Sequence, residues 1–222
     1  MQKFTTAAPV AAVVDIPAGR IQVIAADRTD ATVEVRPANP GKSRDVKAAE
    51  QTEVACADGV VRIKAPQATN RFLGNSGSVE VTVQVPVGSR IEAKAAAAEF
   101  RGVGRLGEVV FEGGYGQVKL DEADRVRLGG LDATITVGRL HAGGEISNQR
   151  GDVSVSEAVS GQLILSTQQG DITVIAAPGV SASLDAGTSY GRIDNALKNT
   201  GETPALTVKA TVMQGDITAR SL

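Results

Sequence analysis

The sequence predicts an all-β fold, a β-solenoid or β-helix-like stack of short strands. β-Branched residues are abundant, with 28 Val, 12 Ile and 17 Thr against 12 Leu, and such side chains suit a pleated surface better than a helix. Apolar and polar residues alternate with a period of two in many short segments. Glycine, at 25 of 222 residues, recurs at intervals of about 7 to 12 residues, the length of one strand and one turn.

Short strands are predicted through the first part of the chain. The clearest is residues 79–85, where four valines alternate with polar residues and so face one way. Further strands are predicted at residues 13–16, 20–25, 32–36, 52–57, 60–64 and 90–95. Asp58-Gly59 predicts a hairpin turn between two of them. One helical segment is predicted over residues 43–51, with Ser43 as its cap.

A repeated unit follows from about residue 88 onward. The unit is a glycine followed by a polar, an apolar, a polar and another apolar residue. Copies of it begin at Gly116, Gly151, Gly170 and Gly215. Because glycine begins each unit and the segments between them look extended, a parallel coil is favoured over an antiparallel meander. Neighbouring coils would then bury the apolar faces. We expect a single domain over residues 1–222, less regular in 1–87 and regularly repeated in 88–222.

These glycine-led units, with Val85-Pro86-Val87-Gly88 before them, resemble a bacterial β-strand-repeat family known as the "putative adhesins". The likeness extends from Ile16-Pro17-Ala18-Gly19 to Gly215-Asp216-Ile217-Thr218, and it is to actinobacterial, cytoplasmic-type members in particular. The resemblance implies a β-solenoid-like fold. The family's name reflects an analogy of shape, which does not by itself assign an activity.

Composition argues against several classes of function. The net charge is −2 and cations are not clustered, which disfavours nucleic acid as a partner. Aromatic residues make up 3% of the chain, too few for a platform on which bases or sugars stack. Cys56 is the only cysteine, so an internal disulfide or thiolate metal cluster is excluded, and a small buried hydrophobe is expected there.

The amino terminus predicts neither a membrane span nor a signal peptide. The apolar run at residues 7–14 is interrupted by Pro9, and it is too short to cross a bilayer. We therefore expect a cytoplasmic location.

Two motifs could suggest catalysis or cofactor binding. Residues 102–107 spell G-x-G-x-x-G, but the strand-like residues 108–112 follow where a dinucleotide site needs a helix. His141 is the only histidine, which excludes a three-histidine metal site, and its position beyond a strand predicts an exposed turn residue. We expect no catalytic residue, cofactor or metal.

Acidic residues form two further patterns. Asp152, Asp171 and Asp216 each follow a glycine, and capping of turn amides is favoured over calcium binding because the β-roll consensus is missing. Residues 121–124 hold Asp121, Glu122 and Asp124. Paired acids could cleave a glycosidic bond in a cleft, but three acids in one turn are expected to be solvated.

The predicted contact surface is the loop at residues 66–78, where Phe72 and Leu73 stand among polar residues. This apolar pair is a candidate contact for a partner or a cap over the protein's own edge. The function expected is a non-enzymatic scaffold or binding module, with a protein partner or self-association through a strand edge or solenoid end. The alternatives are an enzyme acting on a polysaccharide-like polymer along the solenoid face, and adhesin-like surface binding.

Overall fold

The computed structural model describes residues 1–6, 8–66, 77–201 and 203–222. They form two compact units, Met1–Gly116 (unit 1) and Gln117–Leu222 (unit 2). Strands account for 72% of the structure, and one helix occurs in the described residues, so the all-β prediction is confirmed. That the chain is one domain stays a prediction. No helix within the described ranges is long and apolar enough to cross a bilayer.

Unit 1 is organised around its longest complete strand. Its elements are β1 (Gln2–Thr5), β2 (Ala11–Ala26), β3 (Asp30–Pro37), α1 (Ser43–Glu50), β4 (Glu53–Ala57), β5 (Val60–Lys64), β6 (Val79–Pro86) and the first part of β7 (Arg90–Leu140). Strand β2 pairs in parallel with β5, β6 and β7. Antiparallel pairs lie outside them: β3 with β6, β1 with β3, and β4 with β5.

Local signals in unit 1 predicted most of its elements, but not β1. Asp58 and Gly59 have φ angles of 51° and 74°, the left-handed conformation that a tight hairpin turn requires, and β4 and β5 are the hairpin. Helix α1 is also confirmed. The prediction of Ser43 as its cap is wrong, because the helix begins at Ser43 and Lys42 takes the cap position without a side-chain hydrogen bond.

The core of unit 1 follows the alternation in the sequence. Val79, Val81, Val83 and Val85 are at most 1% exposed, which confirms that they share the buried face. The two segments predicted at residues 13–16 and 20–25 form the single strand β2, because pairing with β7 continues between them.

Unit 2 consists of strands that pair in parallel. It contains the rest of β7, then β8 (Gly144–Arg150), β9 (Val153–Ala158), β10 (Gly161–Gln169), β11 (Ile172–Ala176), β12 (Ala182–Tyr190), β13 (Ile193–Ala196), β14 (Leu206–Gln214) and β15 (Ile217–Ser221). They form two series. One runs β7, β8, β10, β14, β12, and the other runs β7, β9, β11, β15, β13.

In unit 2 the paired residues of successive strands are at first separated by a nearly constant number of residues. After β11 the spatial order of the strands no longer follows their order in the chain. Ile135 pairs with Val153, and Val153 pairs with Ile172, so these partners are 18 and 19 residues apart along the chain. The next partner of Ile172 is Ile217, whose other partner is Ile193. The last two strands of the sequence therefore lie between β10/β11 on one side and β12/β13 on the other.

Candidate interaction edge

The glycines that begin the repeated units stand where neighbouring backbones pass very close. A Cβ atom on Gly170 would lie 2.5 Å from the carbonyl oxygen of Gly151, and one on Gly215 would lie 2.2 Å from that of Gly170. The φ angles of Gly170 and Gly215 are 135° and 147°, which side-chain-bearing residues rarely adopt. The repeated glycine thus reflects the close approach of these turns in unit 2.

The aspartates of the repeated units bind the neighbouring turn. Asp152 Oδ1 accepts a hydrogen bond from the backbone N–H of Asp171 (2.9 Å), and Asp171 Oδ1 accepts one from that of Asp216 (2.8 Å). Asp216 Oδ1 in turn accepts the N–H of Arg192 (2.8 Å). The prediction that these aspartates cap turn amides is confirmed. At the end of this series Arg192 takes the position of an aspartate, so no carboxylate is available there for a further turn.

The strands at this end of unit 2 have one side on which no described strand pairs. Among the described residues, β12 pairs only with β14 and β13 only with β15. The backbone N–H of Leu206 donates to the carbonyl of Ser181, whereas the N–H of Ala182 points the other way and donates to Lys198. Because successive residues of a strand direct their backbone groups to opposite sides, Leu184, Ala186 and Thr188 direct theirs away from β14. We call Ala182–Tyr190 and Ile193–Ala196 together the β12–β13 edge.

This edge leaves a core position uncovered. Ile172 and Ile217 are 0% and 1% exposed, but Ile193, which follows them in the same register, is 45% exposed. All four residues of β13 are exposed. Beyond Ala182, whose N–H is bonded to Lys198, the β12–β13 edge therefore offers unpaired backbone groups and apolar side chains together, the two features by which a sheet edge takes up another strand.

Charged side chains on the outer faces of unit 2 are matched from strand to strand. Arg139 contacts Glu157 at 3.4 Å, and Arg150 contacts Asp132 at 3.3 Å. In each case the two residues are direct register partners on adjacent strands. The last strand of the first series follows the same rule, because Asp185 of β12 stands beside Lys209 of β14.

His141 and the nearby acids differ from the prediction in their surroundings. His141 Nε2 lies 2.6 Å from Glu122 Oε1, and the two side chains are 27% and 32% exposed. The expected position in a turn just beyond a strand is confirmed. The expectation of an exposed side chain is wrong, because Glu122, 19 residues earlier in the chain, lies beside His141. Asp121 and Asp124 lie within β7 and each has an interaction partner, so the expected solvated turn of three acids is wrong as well.

The G-x-G-x-x-G segment lies within β7. Added Cβ atoms on Gly104 and Gly107 would lie 2.4 Å and 2.5 Å from the carbonyl oxygens of Ala25 and Gly88. Close backbone neighbours therefore explain Gly104 and Gly107, and residues 108–112 continue the strand as predicted.

The remaining residues singled out from the sequence are Cys56 and the apolar pair in the loop at residues 66–78. Cys56 is only half-buried, so the expectation of a buried residue there is wrong, because β4 is an edge strand. Phe72 and Leu73 lie outside the described residues.

A depression of about 610 Å³ in unit 1 is lined by Asp15, Gln51, Glu53, Lys64, Ala65 and Pro66. Among them, Lys64 stands in register with Glu53 on one side and with Asp15 on the other. Asp15 is also in register with Lys94, which contacts Glu112 at 3.2 Å. Alternating charges of this kind fix the register of neighbouring strands. Among the described residues, no group of three or more potential ligands could hold a metal ion.

The β12–β13 edge was not identified from the sequence. The signal was present, since Gly191-Arg192-Ile193-Asp194 is a copy of the repeated unit in which arginine replaces the capping aspartate. Which strand is last depends on long-range pairing, and local patterns do not report it.

Comparisons with known proteins show likeness of fold. No family model and no curated protein matches the chain. A solved structure described as a "putative adhesin" from Bacteroides fragilis is similar over 100% of this chain and 95% of its own, with 15% identity and a TM-score of 0.50. A "putative cell adhesion protein" from Clostridium sporogenes is 11% identical over 100% and 98% of the two chains (TM-score 0.42). A "putative lipid binding protein" from Parabacteroides distasonis is 9% identical over 100% and 95% (TM-score 0.44).

Proposed function

We propose that the chain is a non-enzymatic binding module that takes up a partner at the β12–β13 edge. The observation that carries this proposal is Ile193, a core residue by register that is 45% exposed beside strands with a free side. A long exposed edge with apolar side chains pairs readily with another strand. Strand addition of this kind supplies affinity through the backbone and specificity through alternate side chains.

We also propose that unit 2 is a β-solenoid. Partners 18 and 19 residues apart fit one coil of two short strands with their turns, and the glycines and aspartates recur at the same point of each coil. Membership of the putative-adhesin family fits the glycine-led units and the likeness of fold to the Bacteroides fragilis protein. A binding role agrees with that protein's description.

A non-catalytic role is supported by the placement of the acids and of the one histidine. His141 and Glu122 bind each other, and the aspartates of the repeated units bind backbone amides. These groups are thus used in holding strands together. We further propose a cytoplasmic location, which cell fractionation with an antibody against the chain would test.

The function is tested by blocking the edge. Ala186→Pro removes an N–H that points away from β14 and places a ring where a partner strand would lie. Gly187→Ala is the matched control, since nothing lies within 4 Å of the added Cβ and the backbone donor is kept. Each protein is immobilised and used for affinity capture from the source cells, with thermal melting to verify folding.

We expect a partner that is retained by the wild type and by Gly187→Ala but lost with Ala186→Pro. If Ala186→Pro does not fold, Thr188→Pro replaces it, because the backbone of Thr188 also points away from β14. Capture of the same proteins in the same amounts by all folded variants would disprove binding at this edge.

A further inference from the structure

We infer that the occupant of the β12–β13 edge is an extended segment of a different polypeptide, added as a parallel strand beside β12, with a lysine or arginine facing Asp185. This inference rests on the proposed function and specifies its partner.

The strand on the paired side of β12 shows which sequence fits. Strand β14 places Val208 and Ala210, both buried, beside Leu184 and Ala186, and it places Lys209 beside Asp185. Side chains in register on parallel strands point to the same face. A strand on the free side of β12 would therefore need the same alternation, with apolar residues facing the core and a polar one beside Asp185.

The charges of the neighbouring strands indicate that the polar residue beside Asp185 is a cation. The outer faces of unit 2 place carboxylates beside cations, as in the Arg139–Glu157 and Arg150–Asp132 contacts. Asp185 is exposed and has Lys209 on one side only. No strand of the described chain lies on the other side. A cation is the complementary group there, because opposite charges directly across a strand pair are stabilising.

The same charges disfavour a second copy of the chain at this edge. Two identical edges that face each other are related by a two-fold axis and pair antiparallel. Neither β12 nor β13 contains a lysine or arginine, so no register between two copies brings a cation of these strands to Asp185. In addition, Arg192 cannot accept the turn amide of a further unit, as Asp171 and Asp216 do. The edge thus favours a different chain over its own copy.

The probe is a labelled nine-residue peptide with the sequence of β14, LTVKATVMQ, and the matched control is the same peptide with glutamate in place of its lysine. Binding to the full-length protein is followed by fluorescence anisotropy. We expect the lysine peptide to bind about tenfold more tightly than the glutamate peptide. Asp185→Asn should remove most of this preference, and Ala186→Pro should abolish binding of both peptides. The free protein should sediment as a monomer.

Three results would overturn the inference. Equal binding of the two peptides, blocked in both cases by Ala186→Pro, would show an edge that takes up strands without selecting charge, which leaves the proposed function intact. No binding of either peptide would rule out this partner chemistry, and the capture experiment would then decide the proposed function separately. A dimer of the free protein that Ala186→Pro dissociates would identify the occupant as a second copy.

Discussion

The two units finish their sheets in different ways. In unit 1 the outermost strands are the antiparallel β1 and β4, which have four and five residues, and α1 packs against β3. In unit 2 the parallel strands end at β12, which has nine residues and a free side. Short, charged edge strands resist pairing with other chains, whereas a long edge invites it. Unit 1 therefore ends in strands that resist pairing with another chain. Unit 2 lacks this protection at β12, the strand at which we propose that a partner binds.

The largest effect should come from a charge placed in the core of unit 2, compared with the same charge at its edge. Ile172→Asp buries an unpaired carboxylate at a position that is 0% exposed and should cost about 4 kcal/mol or more. Ile193→Asp, at the same register position but 45% exposed, should cost about 1 kcal/mol or less. Urea unfolding of both variants measures the difference. Equal losses would mean that Ile193 is covered.

The next effect comes from adding one methyl group to a glycine. Gly170→Ala brings a Cβ within 2.5 Å of the Gly151 carbonyl oxygen and keeps a φ of 135°, so it should destabilise by about 1–3 kcal/mol. Gly187→Ala adds the same group where nothing lies within 4 Å, and it should be neutral or stabilise by up to about 1 kcal/mol. Thermal melting would contradict this account if the two variants behaved alike.

A smaller loss is expected from the aspartate contacts between turns. Asp171→Ala leaves the amide of Asp216 without its acceptor and should cost about 1 kcal/mol. Asp171→Asn keeps a side-chain oxygen and should recover part of that loss. Hydrogen exchange of the Asp216 amide should be faster in Asp171→Ala than in Asp171→Asn. No change in that exchange rate would argue against the contact.

The smallest effect tests an edge of unit 1. Hydrogen bonds from Arg28 and Lys3 lower the pKa of Asp30 from 3.8 to about 2. Because the folded-state pKa is the lower one, the stabilisation is fully present above about pH 4 and is lost as the pH falls through about 2. Carboxyl NMR titration measures the pKa directly. Arg28→Gln should move it back towards 3.8, and Lys3→Gln should move it less, since Arg28 has the larger effect.

Much of the local structure could be predicted because it depends on neighbouring residues. Alternation at residues 79–85, the Asp58-Gly59 turn and α1 are local signals, and the structure confirms them. That the aspartates bind turn amides was also predictable, because a glycine–aspartate pair indicates a turn. The pair does not show that the amides belong to turns 19 and 45 residues further along the chain.

The remaining features depend on partners far apart in the chain. His141 meets Glu122 only because of the strand register, and the position of β12 and β13 depends on β14 and β15 pairing before them in space. The predicted contact at Phe72 and Leu73 came from a local pattern, an apolar pair in a polar loop. The β12–β13 edge arises from the pairing order, which no window of neighbouring residues contains.

The position of β14 and β15 has a consequence for how the chain is made. These strands span Leu206–Gln214 and Ile217–Ser221 and are made after β12 and β13, yet among the described residues β12 and β13 join their sheets only through them. Until residues 206–221 have been made, β10 and β11 end the assembled part and β12 and β13 have no strand partner. A nascent chain that stops short of these residues therefore cannot present the finished edge, and a nonsense mutation before residue 206 would release a protein in which it never forms.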